Sequence, residues 1–327
     1  MLNFNLANQY IRLMKKEINR RVFLRNSGIA GISAFILSQF VPQKILGALS
    51  KTKSDISVVN GENIFNNTIK AIKMLGGMKS FVPEGAKVGL LINSDFEIPG
   101  TYTHPDVAIA VAKMCFDAGA SEVITLQNVK PEYWQRSVHA QKYVEMIDSM
   151  GNVAYNQFPC EFDEAHFMIS EVPGVSLKSA EVIKALFEVD ILINLPIAKH
   201  HATTIYTGAL KNMMGVNTRK TNVGFHLDSG IRNDPVYLAQ CIADINLLRV
   251  ADLTVVDVTE VLVSNGPSGP GDIEKPMKIV AGKDMVAVDA YCASLLGYQK
   301  DDILTILKAS EMGIGNMNYN ELKIVEV

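Results

Sequence analysis

Short apolar runs and amphipathic segments alternate along the chain from about residue 56 onward. The apolar runs have the length and β-branched content of buried strands, and they lie at residues 87–93, 122–126, 190–195 and 253–258. Helical spacing of apolar residues predicts helices at 62–75, 105–117, 133–150, 179–187, 234–248 and 286–296, and a short one near Thr207 or Gly208. This alternation predicts an α/β fold with a mostly parallel sheet and flanking helices.

The predicted α/β domain covers residues 56–327, either as one unit or as two Rossmann-like lobes divided near residues 150–175. Hydrophobic residues make up 48% of the chain and charged residues 20%, which is typical of a globular protein. The net charge of -3 gives no reason to expect nucleic acid, whose binders usually carry a basic patch. We therefore expect a small molecule, a metal or another protein as the partner.

The four cysteines lie far apart in the sequence, so no CxxC-type metal or iron–sulfur motif is present. Cys115, Cys241 and Cys292 fall within predicted helices, and we expect them to be small buried hydrophobic residues. The fourth is Cys160, and the sequence alone leaves disulfide pairing open.

Residues 1–50 have the pattern of an export signal followed by a linker. Basic residues concentrate at 15–25, and an apolar stretch of small residues follows at 28–41. The alternative is a buried or membrane helix, but this stretch is short compared with the roughly 20 residues that span a bilayer. The paired Arg20 and Arg21 resemble the twin-arginine consensus. This resemblance implies that the folded protein is exported by the twin-arginine translocase to the periplasm or cell envelope.

The candidate site begins directly after the predicted strand at 190–195. Lys199 and His201 follow the strand, Lys211 comes ten residues after His201, and His226 lies fifteen residues further on. Ligands of open α/β sheets bind at the carboxyl ends of the strands. A neutral imidazole can ligate a metal or transfer a proton, and a partly buried lysine can hold an anion or act as a nucleophile.

Thr207 and Gly208 stand ahead of the short predicted helix. The first backbone N–H groups of a helix have no partner within it, so we expect them to be free to bind an anion. This expectation adds Thr207 and Gly208 to Lys199 and Lys211 as candidate cofactor-binding residues.

Four segments, in the same order, resemble motifs of the DUF362 family of uncharacterised bacterial and archaeal proteins. They are the central segment at 194–215, Thr103-His104-Pro105, the Gly-Pro loop at 266–271 and the aspartate-containing segment at 283–290. Many members have a lysine where this chain has Ile197. Some members carry a ferredoxin module whose cysteines this chain lacks, so electron transfer would need a separate iron–sulfur partner.

The central segment also resembles the nickel-pincer lactate racemases, although more distantly. This resemblance implies that His201 is an acid/base, that Lys211 is linked to the cofactor and that His226 is a metal ligand. His201 is a second candidate metal ligand. The cofactor would be a metal ion or a nickel-pincer-like group.

Four other features have two interpretations each. His104 either lines the same cleft or shapes the start of a helix, and Asp257 is a strand-end carboxylate that could act as a ligand or a base. Asp289 stands in an apolar helical stretch, where a carboxylate needs a partner, and we interpret it as structural rather than catalytic. The loop at 264–272 either connects elements or covers a ligand.

Two functional hypotheses follow. The first is an exported small-molecule enzyme that depends on a metal or cofactor and carries out isomerase-like or racemase-like proton transfer. The second is a non-catalytic protein that binds an anionic ligand or assists an iron–sulfur redox partner. In the second case Lys199, Lys211 and the Thr207-Gly208 turn would hold the ligand, and the histidines would be structural.

Overall fold

The computed structural model describes residues 54–153 and 160–327. The predicted export signal at residues 1–50 lies outside the described residues. Among the helices that are described, none has the length and apolar character needed to cross a membrane.

Fourteen strands occur in the described residues, and eight of them form one large sheet. In chain order the strands are β1 (Ile56–Asn60), β2 (Lys87–Ile92), β3 (Glu122–Thr125), β4 (Gly151–Asn152), β5 (Phe167–Glu171), β6 (Ser179–Ile183), β7 (Ile191–Leu195), β8 (Lys199–His201), β9 (Ile205–Thr207), β10 (Leu253–Val258), β11 (Val261–Leu262), β12 (Ile273–Glu274), β13 (Lys278–Gly282) and β14 (Ile324–Glu326).

Ten α-helices accompany the strands in this part of the chain. They are α1 (Ile64–Met74), α2 (Pro105–Ala118), α3 (Pro131–Trp134), α4 (Val144–Ser149), α5 (Ala185–Glu188), α6 (Ala209–Asn212), α7 (Arg219–Leu227), α8 (Pro235–Ile245), α9 (Met285–Leu295) and α10 (Leu304–Glu311).

The large sheet has the strand order β14-β1-β13-β10-β7-β2-β3-β4. All of its neighbouring pairs are parallel except the two that involve β13, which runs antiparallel to β1 and β10. Strands from both sides of residues 150–175 belong to this sheet, so the large sheet is not divided at the boundary suggested for two lobes. The predicted α/β class with a mostly parallel sheet is confirmed.

Both faces of the sheet are covered by helices. Along β2, Leu90 and Ile92 pack into the core that contains α1 and α2, whereas Leu91 packs into the core on the opposite face, with α6, α8, α9 and α10. This alternation is the two-residue period of a strand. A parallel sheet buried on both sides reads as a continuous apolar run, which is why the sequence identified these strands.

Two predicted helices are wrong. The segment 133–150 is not one helix, because Ser137 interrupts it: its hydroxyl bonds the Asp106 carboxylate and accepts from the His139 N–H. The predicted helix at 179–187 is instead the strand β6, paired with β5, followed by the short α5. In β6, Ala180 and Val182 are buried and Ser179 is exposed, which is the period of a strand.

A buried aspartate fixes the start of α6. The Asp289 carboxylate accepts hydrogen bonds from the Ala209 N–H at 2.7 Å and the Leu210 N–H at 2.9 Å. Gly208 permits this approach, because a Cβ there would lie 2.2 Å from the Asp289 Oδ1 atom. The interpretation of Asp289 as structural is confirmed. The expectation that the first N–H groups of this helix are free is wrong, since the chain supplies its own anion.

Three asparagines also hold α6, which is too short to be stable alone. The Asn194 amide donates to the Ala209 carbonyl, and the Asn246 amide donates to the Leu210 carbonyl. The Asn212 amide donates to Asn194 and to the Leu91 carbonyl in β2. The helix is therefore tied to the sheet and to its neighbours through buried polar contacts.

We expect Asp289→Ala to lower the free energy of unfolding by about 2–4 kcal/mol, because two buried N–H donors lose their acceptor. Urea denaturation followed by circular dichroism would measure the change. Asp301→Ala is a matched control, because that carboxylate is 69% exposed, and it should shift stability by no more than about 0.5 kcal/mol. Equal effects of the two substitutions would contradict the structural role of Asp289.

Candidate functional site

A cavity of about 780 Å³ opens at the carboxyl ends of β2, β3 and β7. The chain passes from β2 to β3 on one side and later returns to place β7 on the other side of β2. Such a switch point is where open α/β sheets bind ligands. The lining of the cavity includes Asp95, Phe96, Lys199, His201, Thr207, Lys211, Met214, Arg219, Val223, His226, Leu227, Arg232 and Asn233.

Lys199 lies at the buried end of the cavity, with only 1% of its surface exposed. Its ammonium donates to the Thr101 carbonyl at 2.5 Å and the Pro267 carbonyl at 2.9 Å, and it lies 3.9 Å from the centre of the Phe96 ring. No carboxylate within the described residues forms an ion pair with it. Burial and the nearby Lys211 charge lower the pKa of Lys199 to about 7.

Lys211 projects from α6 into the same cavity. Its ammonium has one hydrogen-bond partner in the described part of the chain, the Met214 sulfur at 3.5 Å. A thioether is a weak acceptor, so the charge is poorly compensated. Burial lowers the pKa of Lys211 to about 8.

His201 is held by the backbone of the β8–β9 turn. Its Nδ1 atom accepts from the Thr203 N–H at 3.1 Å and the Thr204 N–H at 3.2 Å. The neutral ring must therefore carry its proton on Nε2. Burial, and then the Lys211 charge, lower the pKa of His201 to about 2, so the ring is a neutral hydrogen-bond donor at pH 7. This arrangement argues against His201 as a metal ligand or a general base.

His226 has the opposite arrangement. Its Nδ1 atom lies 2.9 Å from the Asn233 side-chain oxygen, which can only accept, so Nδ1 donates. The lone pair therefore lies on Nε2, which has no partner among the residues that the structure describes. Burial is the main cause of the lowered pKa of His226. The ring is then a neutral base at pH 7.

Thr207 and Gly208, at the turn between β9 and α6, face different parts of the structure. Thr207 lines the cavity and is 4% exposed, and its hydroxyl oxygen is buried without a hydrogen-bond partner in the described chain. Gly208 does not line the cavity, because it faces Asp289 and Tyr206. The structure thus brings together all the predicted site residues except Gly208.

Several residues of the cavity were not predicted as site residues. Arg219 and Arg232 lie beyond the central motif. Their charge alone does not indicate that they line a cavity, because only the fold brings them to it. Asp95, in the loop after β2, also lines the cavity. Burial raises the pKa of Asp95 to about 6, although the charges of Lys130 and Lys199 oppose this rise.

Other candidate residues lie outside this cavity. His104 caps α2, where its Nδ1 accepts from the Asp106 N–H. Asp257 is buried and accepts from the His104 N–H and from Thr259. Both line a separate cavity of about 230 Å³. Ile197 is fully buried, so this position offers no charge to a ligand.

The family model for DUF362, a domain of unknown function, matches residues 88–294. The chain belongs to the DUF362 family. The match includes the central motif and every residue named above as lining the larger cavity, so the candidate site is part of the family domain.

A curated relative of this DUF362 chain is the thylakoid-associated protein sll1697 of Synechocystis sp. It is 23% identical over 249 residues, which are 74% of this chain and 73% of the relative.

Two solved structures resemble the chain. The lactate racemase apoprotein of Thermoanaerobacterium thermosaccharolyticum is 13% identical with a TM-score of 0.42, over 78% of this chain and 56% of that one. A Thermotoga maritima protein is 12% identical with a TM-score of 0.42, over 73% and 60%. The DUF362 chain therefore spans less than two thirds of either solved chain.

A metal ion held by side chains alone does not fit this DUF362 site. The described residues contain no group of three His, Cys, Asp or Glu side chains that could hold one. Of the two predicted metal ligands, only His226 offers a lone pair that other protein groups leave free. A cofactor that brings its own donor atoms needs fewer protein ligands, and His226 and Lys211 fit that requirement.

We expect Lys211→Met to stabilise the protein at pH 6–7, by on the order of 1 kcal/mol. The pKa of this lysine falls from its ordinary 10.5 to about 8 on folding, so the folded state bears the cost of a buried charge below pH 8. The wild-type lysine loses its proton as the pH rises through this range. The advantage of the variant should therefore fall between pH 8 and 10.5.

Thermal unfolding at a series of pH values measures this effect, and Lys70→Met, at an exposed position in α1, is the control for the change of side chain alone. If the difference in melting temperature between Lys211→Met and wild type is the same at pH 6 and pH 10.5, the charge of Lys211 does not destabilise the folded state.

Proposed function

We propose that this protein binds a small anionic molecule in the larger cavity and transfers a proton on it. The observation that carries the proposal is a charge imbalance. Four lysine and arginine side chains line the cavity, none of them in an ion pair with another described residue, and Asp95 is the one carboxylate in the lining. A ligand with carboxylate or phosphate groups would supply the missing negative charge.

The presence of Lys199 and Lys211 in the cavity is better explained by ligand binding than by a contribution to the stability of the fold. Substitution of Lys199 or Lys211 by an apolar residue should stabilise the folded state, because an uncompensated buried charge is costly. Local features that lower stability without an evident structural gain are typical of functional sites. An anion bound between these lysines would restore their normal pKa values and offset the cost.

The two histidines support complementary roles in proton transfer. His226 is a neutral base with a free Nε2 lone pair and would accept a proton from the ligand. His201 would polarise a ligand carbonyl through its Nε2–H group, as a neutral imidazole can. Lys211, whose pKa of about 8 lies close to neutral pH, would return a proton as an ammonium. Exchange with solvent then restores both groups.

This assignment changes the role that the racemase resemblance implies for His201, from acid/base to hydrogen-bond donor. A cofactor attached through Lys211 and ligated by His226 remains compatible with the geometry. Such a group would act as an electron acceptor at the reacting carbon. In that form Lys211 and His226 would hold the group and would not transfer protons themselves, whereas Lys199 and His201 would still bind and orient the anion.

A binding protein without chemistry is the second candidate function. It is favoured by the fixed, neutral state of His201, which removes one of the predicted proton-transfer groups. In that case Lys199 and Lys211 hold the ligand, and His226 serves only to anchor the loop that contains Asn233. The family relationship is compatible with either function.

Deuterium exchange separates the two functions. The protein, purified from its native host so that any resident cofactor is retained, would be incubated in D₂O with hydroxy, keto and amino acids. We expect solvent deuterium to appear beside the carboxylate, as measured by mass spectrometry. His226→Asn should slow the exchange at least about 100-fold with little loss of ligand affinity, because a positioned base contributes about that much or more.

At ligand concentrations far below saturation the exchange rate reports the pKa values of the ligand-free protein. This rate should rise with pH as His226 loses its proton below its ordinary pKa of 6.5, and it should fall near pH 8 as Lys211 loses its own. His166→Asn is the control, because His166 does not line the cavity. Anion binding without exchange would favour the binding protein. The intact mass of the same sample reports any adduct, and Lys211→Met should abolish it.

We also propose export by the twin-arginine pathway, which the basic and apolar segments at 15–41 support. Replacing Arg20 and Arg21 together by lysine should retain the protein in the cytoplasm, because the pathway depends on the arginine pair. Fractionation and immunoblotting would measure the distribution. Unchanged periplasmic protein in this variant would exclude the pathway.

A further inference from the structure

The cations of the larger cavity lie at two depths. Lys199 is buried at 1% exposure and Lys211 is half-buried, whereas Arg219 and Arg232 are exposed at the mouth. A compact monoanion held at the buried lysines would leave the two guanidinium groups without a partner. A ligand with negative charge at both ends would therefore match the positions of the four basic side chains.

The two arginines at the mouth differ from the other arginines of the described chain. Arg136 donates to the Phe96 carbonyl and lies over the Tyr102 ring, and Arg249 pairs with Asp252. The side chains of Arg219 and Arg232 have neither a hydrogen-bond partner nor an ion pair among the described residues. Guanidinium groups match carboxylates and phosphates in a bidentate geometry, and these two are left free to do so.

One wall of the cavity carries both arginines. Arg219 is the first residue of α7, which Thr218 caps by accepting from the Thr221 N–H. Arg232 lies in the loop that follows α7, and this loop is tied back by the bond between Asn233 and His226. The wall therefore presents the arginines on the same segment that positions the proposed base.

The lining of the cavity also includes apolar side chains. Phe96, Met214, Val223 and Leu227 all line the cavity. Apolar walls with a few placed polar groups are typical of small-molecule sites. The volume of about 780 Å³ is also much larger than a three-carbon acid needs, since it is near the upper part of the range for drug-sized ligands.

We propose that the ligand is a dianion, with one anionic group at Lys199 and Lys211, a second at Arg219 and Arg232, and an apolar or aromatic segment between them. This inference rests on the proposed anion-binding function and specifies the class of ligand. Each end group is a carboxylate or a phosphate, because both accept two hydrogen bonds from a guanidinium at the mouth and both pair with the ammonium groups of the lysines.

Calorimetric titration of the full-length protein at low ionic strength tests the proposal with matched pairs of probes. The pairs are pentanoate and glutarate, heptanoate and pimelate, 4-methylbenzoate and terephthalate, and the corresponding alkylphosphonates and bisphosphonates. Monoanion and dianion here mean a probe with one and with two anionic groups, whatever the charge of each group. We expect at least one dianion to bind about tenfold more tightly than its monoanion, because a second charge-assisted contact contributes about that much. The carboxylate and phosphonate series distinguish the two kinds of end group.

Substitutions then test whether the arginines at the mouth of the cavity cause the preference for the dianion. Arg219→Gln combined with Arg232→Gln should reduce the preference for the dianion to about onefold while the monoanion still binds. Lys220→Gln is the matched control, because Lys220 neighbours Arg219 in α7 but pairs with Glu181 and does not line the cavity. It should leave the preference unchanged.

Two results would contradict the inference and leave the proposed function intact: equal affinity of wild type for each dianion and its monoanion, or a preference that survives the double arginine substitution. Failure of the proposed function itself gives a different result. In that case neither series binds, or Lys199→Met leaves the affinity for the monoanions unchanged.

Discussion

The contact between the Asp289 carboxylate and the first N–H groups of α6 is the constraint on which the candidate site depends. A helix of four residues cannot form from its own hydrogen bonds, so its position must come from its surroundings. Asp289 fixes one end, and asparagines from β7, from α6 itself and from the end of α8 fix the rest. Lys211 projects from this helix and Thr207 precedes it, so the placement of both follows from a side chain in α9.

A second constraint is electrostatic. Burial raises the pKa of Asp289 to about 7 and lowers that of Lys199 to about 7, so the protein holds groups of both signs away from their ordinary titration range. They differ in their partners. Asp289 has two backbone donors at hydrogen-bonding distance, whereas the cavity lysines have only carbonyl or thioether acceptors. The negative group is therefore part of the framework, and the positive groups are available to a ligand.

Much of the sheet and the centre of the site could be predicted from the sequence, for a physical reason. Parallel strands buried on both faces read as short apolar runs, and the strand β7 is followed directly by Lys199 and His201. Residues that approach the cavity from separate parts of the chain could not be found in this way. Asp95 follows β2, and Arg219 and Arg232 come from α7 and its loop, so only the fold brings them together. The sequence does not reveal that Gly208 faces away from the cavity, because the anion at the helix start belongs to the chain itself, eighty residues away from Ala209.

The loop after α7 links the mouth of the cavity to its interior. Asn233 has a left-handed backbone conformation, with φ of 57°, and asparagine tolerates it better than most residues. Its side chain selects which nitrogen of His226 carries the proton, and Arg232 is its immediate neighbour in the chain. Any displacement of the loop that draws Arg232 toward a bound molecule also moves the group that sets the tautomer of His226. The proposed ligand contact at Arg232 and the tautomer of His226 would thus be coupled through one peptide bond.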